Sequence, residues 1–213
     1  MALSQSSHTN GDLASPKAVG IFTRTIVRSP VIHWILHARL RHKSLNDAVF
    51  VGSDFVHVRQ VGHQGHLEHV ATKDDFDAQI RAAAVFRIDQ DPLDEDFIVK
   101  LEDGSASQPD SPVPPDLLVL TLSTHDLVFI YLEVRADGTL HFVQQTLPLP
   151  TFDRILFQPG EHLAVDPHSR ALAVAANEQE VIIYSAKSRE RISQDIRNGN
   201  QNWCPVAAQR PLQ

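Results

Sequence analysis

Histidines, carboxylates and one thiol are the groups in this chain whose spacing suggests chemistry. His63, His66 and His69 recur at every third position, with Glu68 beside the last. Zinc needs three or four ligands converging at about 2.0–2.1 Å. A helix would bring residues three apart together, but Gly62 and Gly65 argue against a helix here, and a strand would alternate their faces. The run reads as an exposed turn. Asp89, Asp91, Asp94, Glu95 and Asp96 have the density of a calcium loop. An EF-hand loop requires Gly at its sixth position and Glu at its twelfth, and counting from Asp89 these places hold Asp94 and Lys100. The stretch is expected to be a solvated acidic loop. Asp153 and Asp166 could be imagined as the paired carboxylates of a hydrolase, yet each is better explained as a turn residue. Cys204 would need a nearby base to act as a nucleophile. Its neighbours are Trp203 and Pro205, and a packed or terminal thiol is the expectation. Ser111-Pro112 has the form of a phosphorylation site, a pattern too common to carry weight. No G-x-S-x-G elbow, P-loop or G-x-G-x-x-G motif occurs. The expectation is a non-enzyme with no catalytic, cofactor-binding or metal-binding residue.

Arg39, Arg41, His42 and Lys43 form the densest basic cluster, four positive or titratable groups in five positions. A handful of such cations could bind phosphates weakly and in a salt-sensitive way. The plainer reading is a solvated loop between strands. The net charge of −7 supplies no global pull toward nucleic acid.

The elements that must hold these groups are short and apolar. Ile21–Val27 and Val31–Leu40 are strand candidates separated by Ser29-Pro30. Ala48–Val51 and Phe55–Val61 flank Gly52-Ser53-Asp54, and the second alternates apolar and polar residues as a half-buried strand does. Leu67–Ala71 is a weak strand. Over Thr72–Arg87, Asp74-Asp75 could cap a short helix carrying Phe76, Ile80 and Ala84 on one face, but a short turn followed by a strand ending near Ile88 is preferred. Asp89–Asp116 then changes character, with nine acidic residues, one lysine and five prolines, as expected of a surface excursion. Leu117–Leu122 and Leu127–Val134 are apolar runs around a polar turn. Ala136-Asp137-Gly138-Thr139 is a strong hairpin signal, since Asp-Gly tolerates positive φ. Leu140–Gln144 returns, and Leu147-Pro148-Leu149-Pro150 reads as a linker. In His162–Tyr184 three apolar runs are separated by Asp166–Arg170 and Asn177–Glu180, an antiparallel meander. One unit recurs at Ala48–Val61, Leu117–Val134 and Ala171–Tyr184: apolar strand, polar turn, apolar strand.

Propeller blades have four strands in about 40–50 residues, so the fold class is all-β, an incomplete β-propeller of about three to four four-stranded blades. The domains expected are a disordered tail at 1–18, a partial propeller at 19–197 with an acidic Pro-rich insertion at 89–116, and a C-terminal tail at 198–213. Apolar content of 42% is that of a globular protein. No apolar run reaches the roughly 20 residues of a membrane span. The polar first residues lack the form of a secretory signal, and a single cysteine fits a reducing compartment.

Three stretches carry a resemblance to a known family: Thr23–Val61 with its N-D-A-V-F-V-G-S-D-F-V-H-V, Leu117–Val134, and His162–Tyr184 with Asp166, Pro167 and Arg170 at its turn. Over residues 20 to 197 the chain resembles the N-terminal propeller of the large propeller scaffolds. These are the large subunits of damaged-DNA-binding protein and of cleavage and polyadenylation specificity factor, together with fungal methyl-methanesulfonate-sensitivity proteins. The resemblance implies a non-catalytic scaffold for protein partners in multi-subunit nuclear complexes handling DNA damage or RNA processing. Association with nucleic acid is implied by resemblance only, and no membrane, cofactor or small-molecule substrate is expected. Family members are much longer, so the chain is expected to be a fragment or truncated product whose propeller does not close. The alternatives are an unrelated interaction propeller of the WD type, for which no Gly-His…Trp-Asp repeat is present, and a propeller enzyme or metal protein, which would need converging titratable residues.

Overall fold

Alternation along a strand sends side chains to opposite faces, and in the middle sheet of this chain both faces of the central strands are apolar. The computed structural model describes residues 30–62, 65–88, 114–135, 137–150, 160–175, 181–200 and 203–208. All its elements lie in the compact unit Val31–Gln213. They form three four-stranded antiparallel sheets, each a meander of consecutive strands. The first sheet is β1 (Trp34–Ala38), β2 (Asp47–Val51), β3 (Val56–Val61) and β4 (Leu67–Lys73). The second is β5 (Ile80–Arg87), β6 (Asp116–Leu122), β7 (Asp126–Val134) and β8 (Leu140–Pro148). The third is β9 (Leu163–Val165), β10 (Ala171–Ala175), β11 (Val181–Ala186) and β12 (Val206–Ala208), with the helix α1 (Arg189–Arg197) inserted before β12. The first strands of successive sheets are neighbours, β1 beside β5 and β5 beside β9. Three blades thus stand side by side with their first strands innermost, an incomplete all-β propeller.

Two cores hold the blades together, and the second sheet feeds both. Leu118, Leu120, Leu122, Val128, Ile130 and Leu132 pack against Val49, Val51, Val56 and Val58 of the first sheet. Their neighbours of opposite parity, Leu117, Val119, Leu127, Phe129 and Tyr131, pack against Leu172, Val174, Ile182 and Tyr184 of the third. Burial on both faces explains why β6 and β7 read as unbroken apolar runs. Each fully buried Leu or Ile contributes roughly 1.5–3 kcal/mol relative to exposure.

The recurring sequence unit proves to be one structural position: Ala48–Val61, Leu117–Val134 and Ala171–Tyr184 contain the two central strands of each blade. The expected Asp-Gly hairpin forms between β7 and β8. Gly138 has φ of 80°, and the Asp137 carboxylate accepts bonds from both the amide and the hydroxyl of Thr139. Gly52 serves by size instead, because a Cβ there would fall 2.1 Å from the Phe55 ring.

Several expectations are corrected. Leu147-Pro148 is not a linker but the end of β8, where Leu147 pairs with Leu127 and Pro148 with Asp126. Proline is tolerated there because β8 is an edge strand and needs no donor on its open side. Asp116 does not belong to a solvated excursion; it is buried and opens β6. Within the expected tail 198–213, Trp203 and Val206 are buried in the core and β12 pairs with β11. Helix α1 was not foreseen. Its signals are Ser188, whose hydroxyl caps Arg191 N–H, and Ile192 and Ile196 spaced four apart on the face that meets the core. The strand candidate Ile21–Val27, most of the acidic block, Ser111-Pro112 and Asp153 lie outside the described residues.

Candidate functional site

The basic cluster lies in the β1–β2 connection of the first blade, where that loop touches the second blade. Asp116 Oδ2 accepts bonds from Arg39 N–H at 2.8 Å and from Arg39 Nε at 3.3 Å. Leu132 N–H of the second blade donates to Leu40 O of the same loop at 3.0 Å. Arg41 grips fully buried Asp47 through Nε and Nη2, and the same Nη2 reaches Gln60 Oε1 at 3.1 Å. His42 Nδ1 lies 2.8 Å from Ser44 Oγ. Two of the three formal cations in the cluster are therefore neutralised within the protein. These arginines fasten blades and strands, and the patch offers phosphate far less than its composition suggests.

Only two histidines of the run lie among the described residues. His63 lies outside the described residues, while His66 and His69 are both exposed, and His69 Nε2 bonds Thr72 Oγ1 at 3.0 Å. Among the described residues no group of three or more His, Cys, Asp or Glu is placed to hold a metal ion.

Asp166 works as a corner. Its carboxylate accepts bonds from Arg170 Nε at 2.8 Å and Nη2 at 3.1 Å, while its carbonyl accepts from Ser169 N–H. The Arg170 guanidinium holds the Asp166 carboxyl down at about 2. Ser169, at φ of 48°, is buried and its hydroxyl accepts a bond from Arg87 N–H of β5 at 3.0 Å. The turn thus ties the third blade to the second. Ser169 drew no attention in the sequence, since a serine in a polar turn has no pattern that reveals a partner 82 residues away.

Cys204 is half-buried in the third blade, and burial raises its thiol above the usual range, with Lys187 and the Val206 amide opposing more weakly. Burial, then the charge of Glu133, pushes Tyr131 up to about 12. Neither environment makes a thiolate or phenolate at neutral pH. A cavity of about 320 Å³ opens between the starts of β1 and β5, lined by His33, Trp34, Ser53, Gln79, Ile80 and Arg81. Several of its polar groups are already engaged, one of them between the two blades. His33 Nε2 bonds Ser53 Oγ at 3.1 Å, Ile80 N–H bonds Ser53 O at 2.7 Å, and Gln79 N–H bonds Ser123 Oγ at 3.0 Å.

What the arrangement offers instead is surface. Turns and sheet faces are held on a stiff frame with no assembled set of titratable groups among the described residues. The chain matches the model of the RSE1/DDB1/CPSF1 first beta-propeller over residues 31–212. It belongs to that family. The match includes all three sheets and the crossing segments between them, and a domain of this type is a propeller scaffold. A search of curated proteins returned no match.

Proposed function

We propose that this first-propeller domain is a non-catalytic scaffold module. It presents turns and blade faces to protein partners of a multi-subunit nuclear assembly that handles damaged DNA or processes RNA. The family match over residues 31–212 carries the reading. The physical support is a frame whose loops are fixed by two apolar cores, the arrangement that favours recognition by several partners. Nucleic acid is reached through those partners, because Arg39 and Arg41 spend their charge on Asp116 and Asp47.

The test is fractionation of nuclear and cytoplasmic extracts from cells expressing the tagged chain, followed by gradient sedimentation. A nuclear species well above twice the chain's 23.7 kDa, with stoichiometric partners, is expected. A cytoplasmic pool sedimenting without partners would refute the reading.

A further inference from the structure

Each sheet ends on one outer strand, β4, β8 or β12. An edge strand offers its unbonded N–H and C=O groups to any extended chain, and proteins guard such edges with charges, bulges or short length. Two of these three edges are guarded. β4 carries Glu68 and Lys73, and it bulges: Val58 pairs with Ala71 and Arg59 with His69, which leaves Val70 as an extra residue. β12 is three residues long. β8 has none of these devices along most of its length. It runs nine residues in unbroken register with β7, and from Leu140 to Leu147 it holds no Asp, Glu, Lys or Arg.

The direction of its backbone groups follows from the two ends of the β7–β8 ladder. Arg135 N–H donates to Thr139 O at 2.8 Å, and Leu149 N–H donates to His125 O at 2.8 Å. Bonded and unbonded pairs alternate along an antiparallel ladder, and both ends give the same parity. His141, Val143, Gln145 and Leu147 therefore bond β7, while Leu140, Phe142, Gln144 and Thr146 turn their N–H and C=O groups outward. Among the described residues no backbone hydrogen bond from outside the sheet reaches these four. Pro148 has the same parity and closes the row, since it has no N–H to offer.

We propose that β8 accepts an extended, uncharged segment of a protein partner as a fifth strand of the second blade. The inference rests on the scaffold reading for the existence of a partner and adds the chemistry by which one is held. Main-chain bonds to Phe142, Gln144 and Thr146 supply affinity, and the alternating side chains of the segment supply specificity. Phe142 and Val143 are half-buried on opposite faces of the sheet and extend the rows of Leu132 and Tyr131. Aromatic or β-branched residues suit the places beside them, and polar residues suit those beside exposed Gln144 and Thr146. A second copy of the chain is the poorer occupant. Two β8 strands joined from Leu140 to Leu147 meet along about 27 Å, and sheets about 10 Å thick then bury about 540 Å² in total, well short of the roughly 1,200 Å² of a stable interface. Each copy also carries a net charge of −7, which opposes the pairing of like chains.

The probe is a short alternating Thr/Val peptide, N-methylated at every second residue so that one edge alone can bond and the peptide cannot stack on itself. The full chain is titrated with it while amide exchange is followed by NMR. In the free chain the amides of Val143 and Gln145 should exchange slowly and those of Phe142, Gln144 and Thr146 fast. The peptide should bind saturably and slow the second set about tenfold or more. The same peptide methylated at every residue should not bind. Gln144→Pro removes the central outward donor without breaking a bond to β7, so it should keep the cooperative melt and weaken binding about tenfold or more. Should Gln144→Pro fail to fold, Thr146→Pro, of the same parity, replaces it. The proposal is overturned by absence of saturable binding, by equal binding of the fully methylated peptide, or by undiminished binding to the proline variant. Slow exchange at Phe142, Gln144 and Thr146 in the free chain overturns it as well, because the chain itself or a second copy then covers the edge. None of these results touches the scaffold reading, which the fractionation tests separately; a chain that binds the peptide yet sediments without partners refutes that reading alone.

Discussion

Replacing Asp47 by alanine should be among the most damaging single changes in the first blade. Asp47 is fully buried, and its carboxylate is bound by the Arg41 Nε and Nη2 groups. The Arg41 side chain is itself only 10% exposed, so it has little water to turn to. Removing one partner of a buried pair leaves the other charge uncompensated, at a cost of about 3–5 kcal/mol. Here Gln60 Oε1 still accepts one bond from Arg41, which places the expectation near the lower end, about 3 kcal/mol. Replacing both partners by apolar residues of similar volume, Arg41→Met with Asp47→Leu, removes the stranded charge and should recover most of the loss. Urea unfolding of the wild type, both single variants and the double variant gives the cycle directly. The slope with urea should stay constant if only stability changes. The reasoning fails if Asp47→Ala loses less than about 1 kcal/mol, the value of an exposed pair. It fails equally if the double variant is as unstable as Asp47→Ala.

Three further outcomes follow from the same geometry. Ile130→Ala, in the core between the first two sheets, should cost about 2–5 kcal/mol in urea unfolding, because the buried residue meets both β6 and the first sheet. In a carboxyl-detected NMR titration Asp166 should titrate near 2, and Arg170→Ala should return it toward the usual carboxylate value. The sign is that of a depressed carboxylate: the contribution is complete above the unfolded value near 4, and it fades as pH falls toward about 2. The effect on stability should be small, since the Arg170 side chain is 75% exposed. Cys204 should react slowly with a thiol reagent at neutral pH in the folded protein and fast in urea, because burial raises its thiol; equal rates would contradict its packing.

The central hairpins of all three blades were legible because they are the most buried strands, and burial writes itself as apolar runs. Leu117–Leu122 and Leu127–Val134 needed no structure to be recognised. The Asp166–Arg170 corner and the Asp137-Gly138 turn were legible for a local reason, since their hydrogen bonds close within a few residues. Edge elements were not. The end of β8 carries Pro148, β12 is three residues long, and α1 is a single short helix. Each is held by packing on something distant in sequence, which no local pattern encodes.

The basic cluster is the clearest case of what the tertiary structure alone decided. In the sequence Arg39 and Arg41 are two cations in a polar loop. Asp116, 77 residues away, and Asp47 convert them into internal ties. The sequence by itself determined the β class and the repeated hairpin, because those rest on alternation and turn chemistry, while the family rested on resemblance and on the match over residues 31–212. Only the fold decided which charges are spent inside and which faces meet. Those are facts about neighbours in space, and the chain states its neighbours only once it is folded.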